Sequence, residues 1–236
     1  MTDNVHANHP PAPFPAKGRD ADTPRQRGSL LDAKTAPQGV TIAREFTAVL
    51  VSPFSLYRYD ASYALDVYRA YPGRFGLVKS VNPNDLEVVE IVENWAATPG
   101  TVGIRLMLAH GTPLGPDHAG TQRLLVAAAR VGLPVNLFCW GCLDQAQVLI
   151  AHNPGTMFVI DHLGLPQPFG PPVPAAPWAD LPKLLEFARL DNVTVKISGA
   201  CTLSHESFPY GDIWDPLGRI FDAFGLTRCL WGTDWT

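Results

Sequence analysis

The chain has 236 residues, of which 46% are apolar and 17% charged, and its formal net charge is −4. That size and apolar content suit one domain with a large core and exclude a disordered chain. The slight acidity excludes the electrostatic footprint of a nucleic-acid or anionic-membrane binder, and no apolar run approaches the ~20 residues that span a bilayer.

Residues 1–38 are rich in Pro, Ala, Asp and Arg, as in His9-Pro10-Pro11-Ala12-Pro13-Phe14-Pro15, and show no periodicity. They are expected to form an irregular arm, because proline removes backbone donors and fixes φ. The first residues lack the basic-then-apolar build of an export signal, and the four cysteines lie in or beside apolar runs. Both features point to the cytoplasm. Residues 39–236 form the second expected unit, a single α/β domain. Short, apolar, β-branched runs predict strands over Thr47–Ser52, Phe75–Val81, Val102–Leu108, Val135–Cys139, Met157–Asp161, Val193–Ser198 and Cys229–Thr233. Helices are predicted between them. Asn84/Asp85 would cap one that runs to Trp95. Thr121–Arg130 is closed by Gly132 and Pro134, and Leu143–His152 stops at Asn153-Pro154. Leu181–Leu190 carries Pro182 in its first turn, and Asp215-Pro216 opens a helix closed by Gly225. Strands alternating with single helices predict βαβ units on a parallel sheet. Seven strands fall one short of a closed barrel. The missing first strand would lie near Val5–His9 and the last helix beyond Thr236. The expected fold is therefore an incomplete (β/α)8 TIM-type barrel, with an irregular first strand and no last helix.

Two of these strands end in titratable groups, Asp161-His162 and Asp234. In parallel α/β sheets chemistry sits at strand C-termini. Asp234 could take a proton from water, and His162 could polarise an acyl oxygen. The plain alternatives are a hydrogen-bonded core histidine and a helix N-cap. Arg105 and Lys196 each interrupt an apolar strand. Arg105 either pairs with a buried carboxylate or points its fork at an anionic substrate group, and the substrate is the working expectation. Thr202, Ser204, His205 and Tyr210 follow the Lys196 strand and could line a pocket. His110 and His118 are expected to be solvent-facing, and His152 to sit at a helix C-terminus. Cys139-Trp140-Gly141-Cys142 has redox or zinc spacing but no second pair, so two buried thiols are expected.

Several motifs in order resemble the amidohydrolase-related family of the amidohydrolase superfamily. They are Asp161-His162-Leu163-Gly164-Leu165-Pro166, Val195-Lys196-Ile197-Ser198-Gly199, Arg219 to Gly225, and Leu230-Trp231-Gly232-Thr233-Asp234-Trp235. Tyr59 to Tyr63, Tyr71 to Phe75, and Gly103-Ile104-Arg105-Leu106 fit the same pattern. The resemblance implies a (β/α)8 barrel with hydrolytic or decarboxylating chemistry at its C-terminal rim, and an arginine near Arg105 that grips a carboxylate. The superfamily's His-x-His is missing; His6-Ala7-Asn8-His9 has the wrong spacing, and Asn136-Leu137-Phe138-Cys139 lacks the family's strand-five histidine. No metal is therefore expected, which places the chain nearest the metal-independent lactonase-like branch. The resulting expectation is a hydrolase of a small carboxylated lactone without cofactor, possible as a homo-oligomer. Asp234 and His162 would be catalytic, and Arg105, Lys196, Tyr210 and His205 would bind substrate. Two alternatives are a zinc-dependent decarboxylase and a truncated, non-catalytic barrel.

Overall fold

The computed structural model describes residues 48–108, 114–168 and 170–234. The expected arm and the histidines His6, His9 and His110 lie outside the described residues. Seven strands form one sheet: β1 (Ala48–Val51), β2 (Phe75–Ser80), β3 (Thr101–Met107), β4 (Val135–Phe138), β5 (Phe158–Ile160), β6 (Val193–Ile197) and β7 (Cys229–Trp231). They pair in sequence order, and every pair is parallel. Parallel neighbours in sequence order need crossover connections, which put the helices on one face and leave the sheet to curl around the other. The result is an incomplete α/β barrel. Six of the strands are shorter than the apolar runs that announce them, and β3 is as long as its run but begins one residue earlier, at Thr101. At the end of β5, Asp161 leaves the strand and enters a 3₁₀ turn, Asp161–Gly164.

The helices are α1 (Phe54–Tyr57), α2 (Ser62–Ala70), α3 (Val88–Ala96), α4 (Ala119–Val131), α5 (Leu143–His152), α6 (Leu181–Glu186) and α7 (Trp214–Phe224). Their stripes follow the 3.6-residue period: Val88, Val92 and Trp95 on α3, Leu217, Ile220 and Phe224 on α7. Strand pleating turns alternate residues to this layer. The paired rows Ile104, Val135, Phe158, Val193 and Leu106, Leu137, Ile160, Val195 are fully buried in the same apolar cluster as the helix stripes. Truncating one such side chain to alanine costs about 2–5 kcal/mol.

Several expectations need correction. Residues 54–70 carry two helices that the sequence pattern did not announce, because α2 buries only Ala64 and so shows no apolar stripe. Asp60 starts it instead, accepting from the Ser62 backbone N–H at 3.0 Å and hydroxyl at 2.6 Å. The helix expected from Asn84/Asp85 begins at Val88, since Asn82 and Asp85 spend their side chains on local turns. His118 is no plain loop residue; its Nδ1 accepts from Thr121 N at 3.1 Å and caps α4. At the other end of α4, Gly132 takes the left-handed conformation (φ 70) that closes the helix. The far side of the barrel is tied by Arg228. Its guanidinium donates to the carbonyls of Leu190, Val193 and Ala188, and its Nε to that of Phe224.

Candidate active site

The face of the sheet turned away from the helices is polar. Ser80, Arg105 and Asn136 lie side by side on β2, β3 and β4, by register. Asp161 follows at the end of β5 and Lys196 stands on β6. Asp161 is wholly buried and is the hub. Its Oδ1 accepts from Lys196 Nζ at 2.8 Å and Asn136 Nδ2 at 3.1 Å. Its Oδ2 lies 2.7 Å from Arg105 Nε, an ion pair without an aligned hydrogen bond. Desolvation pushes the Asp161 carboxyl up, but Lys196, then Arg105 and His162, outweigh it and hold it at about 2. Arg105 is therefore committed to a core carboxylate, the alternative the sequence left open, and Lys196 shares that carboxylate.

His162 and Leu163 both adopt left-handed backbone (φ 52 and 60), followed by Gly164 (φ 65). For non-glycine residues this costs on the order of 1 kcal/mol or more each and persists only where the surroundings over-determine it. The reversal swings the His162 ring back over the hub. Arg105 Nη2 lies 3.1 Å from its Nε2. A guanidinium can only donate, so Nε2 is the acceptor and the neutral ring carries its proton on Nδ1. That N–H faces Ser198 Oγ at 2.9 Å and Asp234 Oδ2 at 3.4 Å. Burial pushes the His162 imidazole below its ordinary value; Asp161 and Asp234 oppose the shift, and Arg105 and Lys196 add to it. Phe138 and Trp140 wall the ring edge-on, with centroids at 6.0 and 5.8 Å.

Asp234 stands at the mouth. It follows β7 in left-handed backbone (φ 54), and its carboxylate is 35% exposed, against 0% for Asp161. One aspartate is thus a buried counter-ion and the other reaches water, a separation of roles set by environment. Two expected substrate residues stand apart from this network among the described residues. His205 is exposed and contacts Asp212 through its backbone N–H. Tyr210 is half-buried, left-handed (φ 58) and edge-on to Phe208. Sequence reasoning missed Asn136, Ser198 and Asp161 as a charge centre. Asn136 was legible as a polar residue inside Val135-Asn136-Leu137-Phe138, but Ser198 only acquires meaning once β5 and β6 are neighbours. Cys139 and Cys142 are buried, and burial pushes both thiols up, which suits inert core residues.

A divalent metal would have to compete here with bonds already made. His162 offers Nε2 to Arg105 and Nδ1 to Ser198 and Asp234, and two cations already fill the space around Asp161. Among the described residues no group of three His, Cys, Asp or Glu could hold an ion. These residues do not fit a divalent cation.

Among curated proteins the chain is similar to two 4-sulfomuconolactone hydrolases. That of Rhizobium radiobacter is 38% identical over 82 residues, 34% of this chain and 25% of the relative. That of Hydrogenophaga intermedia is 28% identical over 180 residues, 75% of this chain and 56% of the relative. The matched segments thus span a quarter to about half of the curated relatives' length. Among solved structures it is similar to a probable 2-pyrone-4,6-dicarboxylic acid hydrolase of Acinetobacter baumannii with citric acid bound. That match has a TM-score of 0.57 at 26% identity and covers 79% of this chain and 67% of the other. The family model described as amidohydrolase matches residues 4–236, so the curled parallel sheet with Asp161-His162 and Asp234 at its strand ends belongs to a member of the amidohydrolase family.

Proposed function

We propose that this chain is a hydrolase that opens a small carboxylate-bearing lactone by Asp234-assisted attack of water. One juxtaposition supports this reading most: a solvent-reaching carboxylate, Asp234, 3.4 Å from a buried histidine that also carries Arg105 on its far nitrogen. Water at the mouth gives its proton to Asp234 while its oxygen adds to the lactone carbonyl carbon. The carbonyl oxygen becomes an oxyanion, which the His162 Nδ1–H is placed to stabilise as a donor. Collapse breaks the ring C–O bond, and the ring oxygen takes the proton back from Asp234. The new carboxylic acid releases its proton to solvent, so the product carries one more carboxylate than the substrate. Arg105 and Lys196 together outweigh Asp161 by one positive charge, and Lys196 is the more exposed of the two cations, so it is the anchor for the substrate's anionic group. His205 and Tyr210 belong to the rim loop that would select the rest of the substrate. The three similar proteins, all named as hydrolases of anionic lactones, favour the same class. We also propose a cytoplasmic location, which fractionation of cells expressing the full protein checks, and allow a homo-oligomer, which sedimentation velocity checks.

The test is a screen of 4-sulfomuconolactone, 2-pyrone-4,6-dicarboxylate and related lactones against wild type, Asp234→Asn and Lys196→Met, with and without chelator. Asp234→Asn keeps the shape but removes the proton acceptor, so kcat should fall ~10²–10⁴-fold. Lys196→Met should mainly raise KM, since an anionic anchor binds ground and transition states alike. Equal turnover by wild type and Asp234→Asn on every lactone would refute the reading. Activity lost on chelation and restored by zinc would overturn the metal-free mechanism.

A further inference from the structure

Gln167 has no part in the chemistry above, yet it is buried between the two strand ends that carry it. Its Nε2 donates to the backbone carbonyl of His162 at 3.2 Å and to that of Ser198 at 2.8 Å. The side chains of the same two residues meet as Nδ1 and Oγ at 2.9 Å. One amide therefore ties the backbone on both sides of the hydrogen bond that orients the histidine. The next residue, Gly199, has φ 69, and a Cβ there would fall 1.9 Å from Gln167 Oε1. The amide is thus seated against the bare Cα of Gly199, and no other residue leaves room for it. The tie also acts where the backbone is least comfortable. The His162 carbonyl belongs to the left-handed turn and has one further donor, Leu165 N at 3.2 Å.

We propose that Gln167, seated on Gly199, is a positioning residue that holds His162 and Ser198 in the arrangement where the Nδ1–H faces Asp234. Its consequence for turnover rests on the hydrolase reading; its geometry does not. Without the amide, two buried carbonyls lose a donor and the β5 and β6 ends are free to separate. His162 then drifts from Ser198 and Arg105, and its proton is no longer confined to Nδ1. A substitution at Gly199 acts through the same amide by displacing it.

The experiment uses the full chain labelled with ring-¹⁵N histidine. Wild type, Gln167→Met, Gln167→Ala, Gly199→Ala and the Gln167→Ala/Gly199→Ala double variant are compared, and His162→Asn assigns the His162 signals. Wild type should show the neutral Nδ1–H tautomer. The single variants should show a mixture with the Nε2–H form, while circular dichroism stays native. Gly199→Ala reaches His162 by displacing Gln167, so the double variant should match Gln167→Ala in its tautomer signals, while the strain of alanine at φ 69 lowers the stability of both Gly199 variants. On a turned-over lactone, Gln167→Met should lose ~10-fold or more in kcat with KM within ~2-fold. Folded Gln167 variants with wild-type His162 signals would overturn the proposal. Failure of both Gln167→Met and Gln167→Ala to fold would overturn it as well, by making Gln167 a core residue only. If wild type turns over no lactone, the hydrolase reading falls, and the tautomer signals still decide this one.

Discussion

Asp161→Asn is the sharpest test of the charge centre. The substitution keeps the shape and removes one negative charge between Arg105 and Lys196, whose ion-pair distances to Asp161 are 2.7 and 2.8 Å. Two cations would then face each other across a neutral amide, with Arg105 almost wholly buried. Breaking a buried pair by removing one partner costs about 3–5 kcal/mol, a large share of a total stability of roughly 5–15 kcal/mol. The pH dependence gives an independent handle. The folded carboxyl is held at about 2, below its ordinary value of 3.8. A depressed acid stabilises the fold above its unfolded pKa and loses that contribution as pH falls through the folded one. Wild type should therefore lose ~2 kcal/mol of this contribution between roughly pH 4 and pH 2. Urea unfolding at pH 7 and at steps down to pH 2 measures both effects. Asp161→Asn should be less stable at pH 7 and should lack this acid limb. Arg105→Met combined with Asp161→Asn should recover part of the loss, since the more deeply buried of the two unpaired charges is gone. An Asp161→Asn variant within 1 kcal/mol of wild type at pH 7, with the acid limb intact, would refute the hub.

Arg228→Met should cost about 2–3 kcal/mol in urea unfolding without changing KM, because four carbonyl contacts from a charged donor are lost far from the mouth. Arg228→Lys should recover only part, since an ammonium cannot reproduce the planar fork. His118→Ala should destabilise by ~1 kcal/mol through the lost cap of α4, read as a fall of a few degrees in Tm, while His118→Asn should restore most of it. Arg105→Met should lower kcat as well as raise KM, because Arg105 touches both Asp161 and His162 Nε2; an effect confined to KM would show that it serves the substrate alone.

The alternation of apolar runs and helical stripes was enough to place seven parallel strands and their covering helices, because burial on both faces makes each strand an unbroken apolar run. Asp161-His162 and Asp234 were legible as titratable groups at strand C-terminal ends, where parallel sheets collect chemistry. The sequence also offered both fates for Arg105. Choosing between them required the strand order. Only when β3, β4, β5 and β6 lie side by side do Arg105, Asn136, Asp161 and Lys196 become one buried charge centre, and only then is the arginine committed to a carboxylate. Helices without an apolar stripe, such as α2, left no periodic signal. The orientation of His162 was equally invisible. It depends on a left-handed turn at a non-glycine residue, which local preference disfavours and only neighbouring strands can enforce. One-dimensional pattern thus determined which residues line the strand ends. Packing decided which of them neutralise one another and which one, Asp234, stays in reach of water.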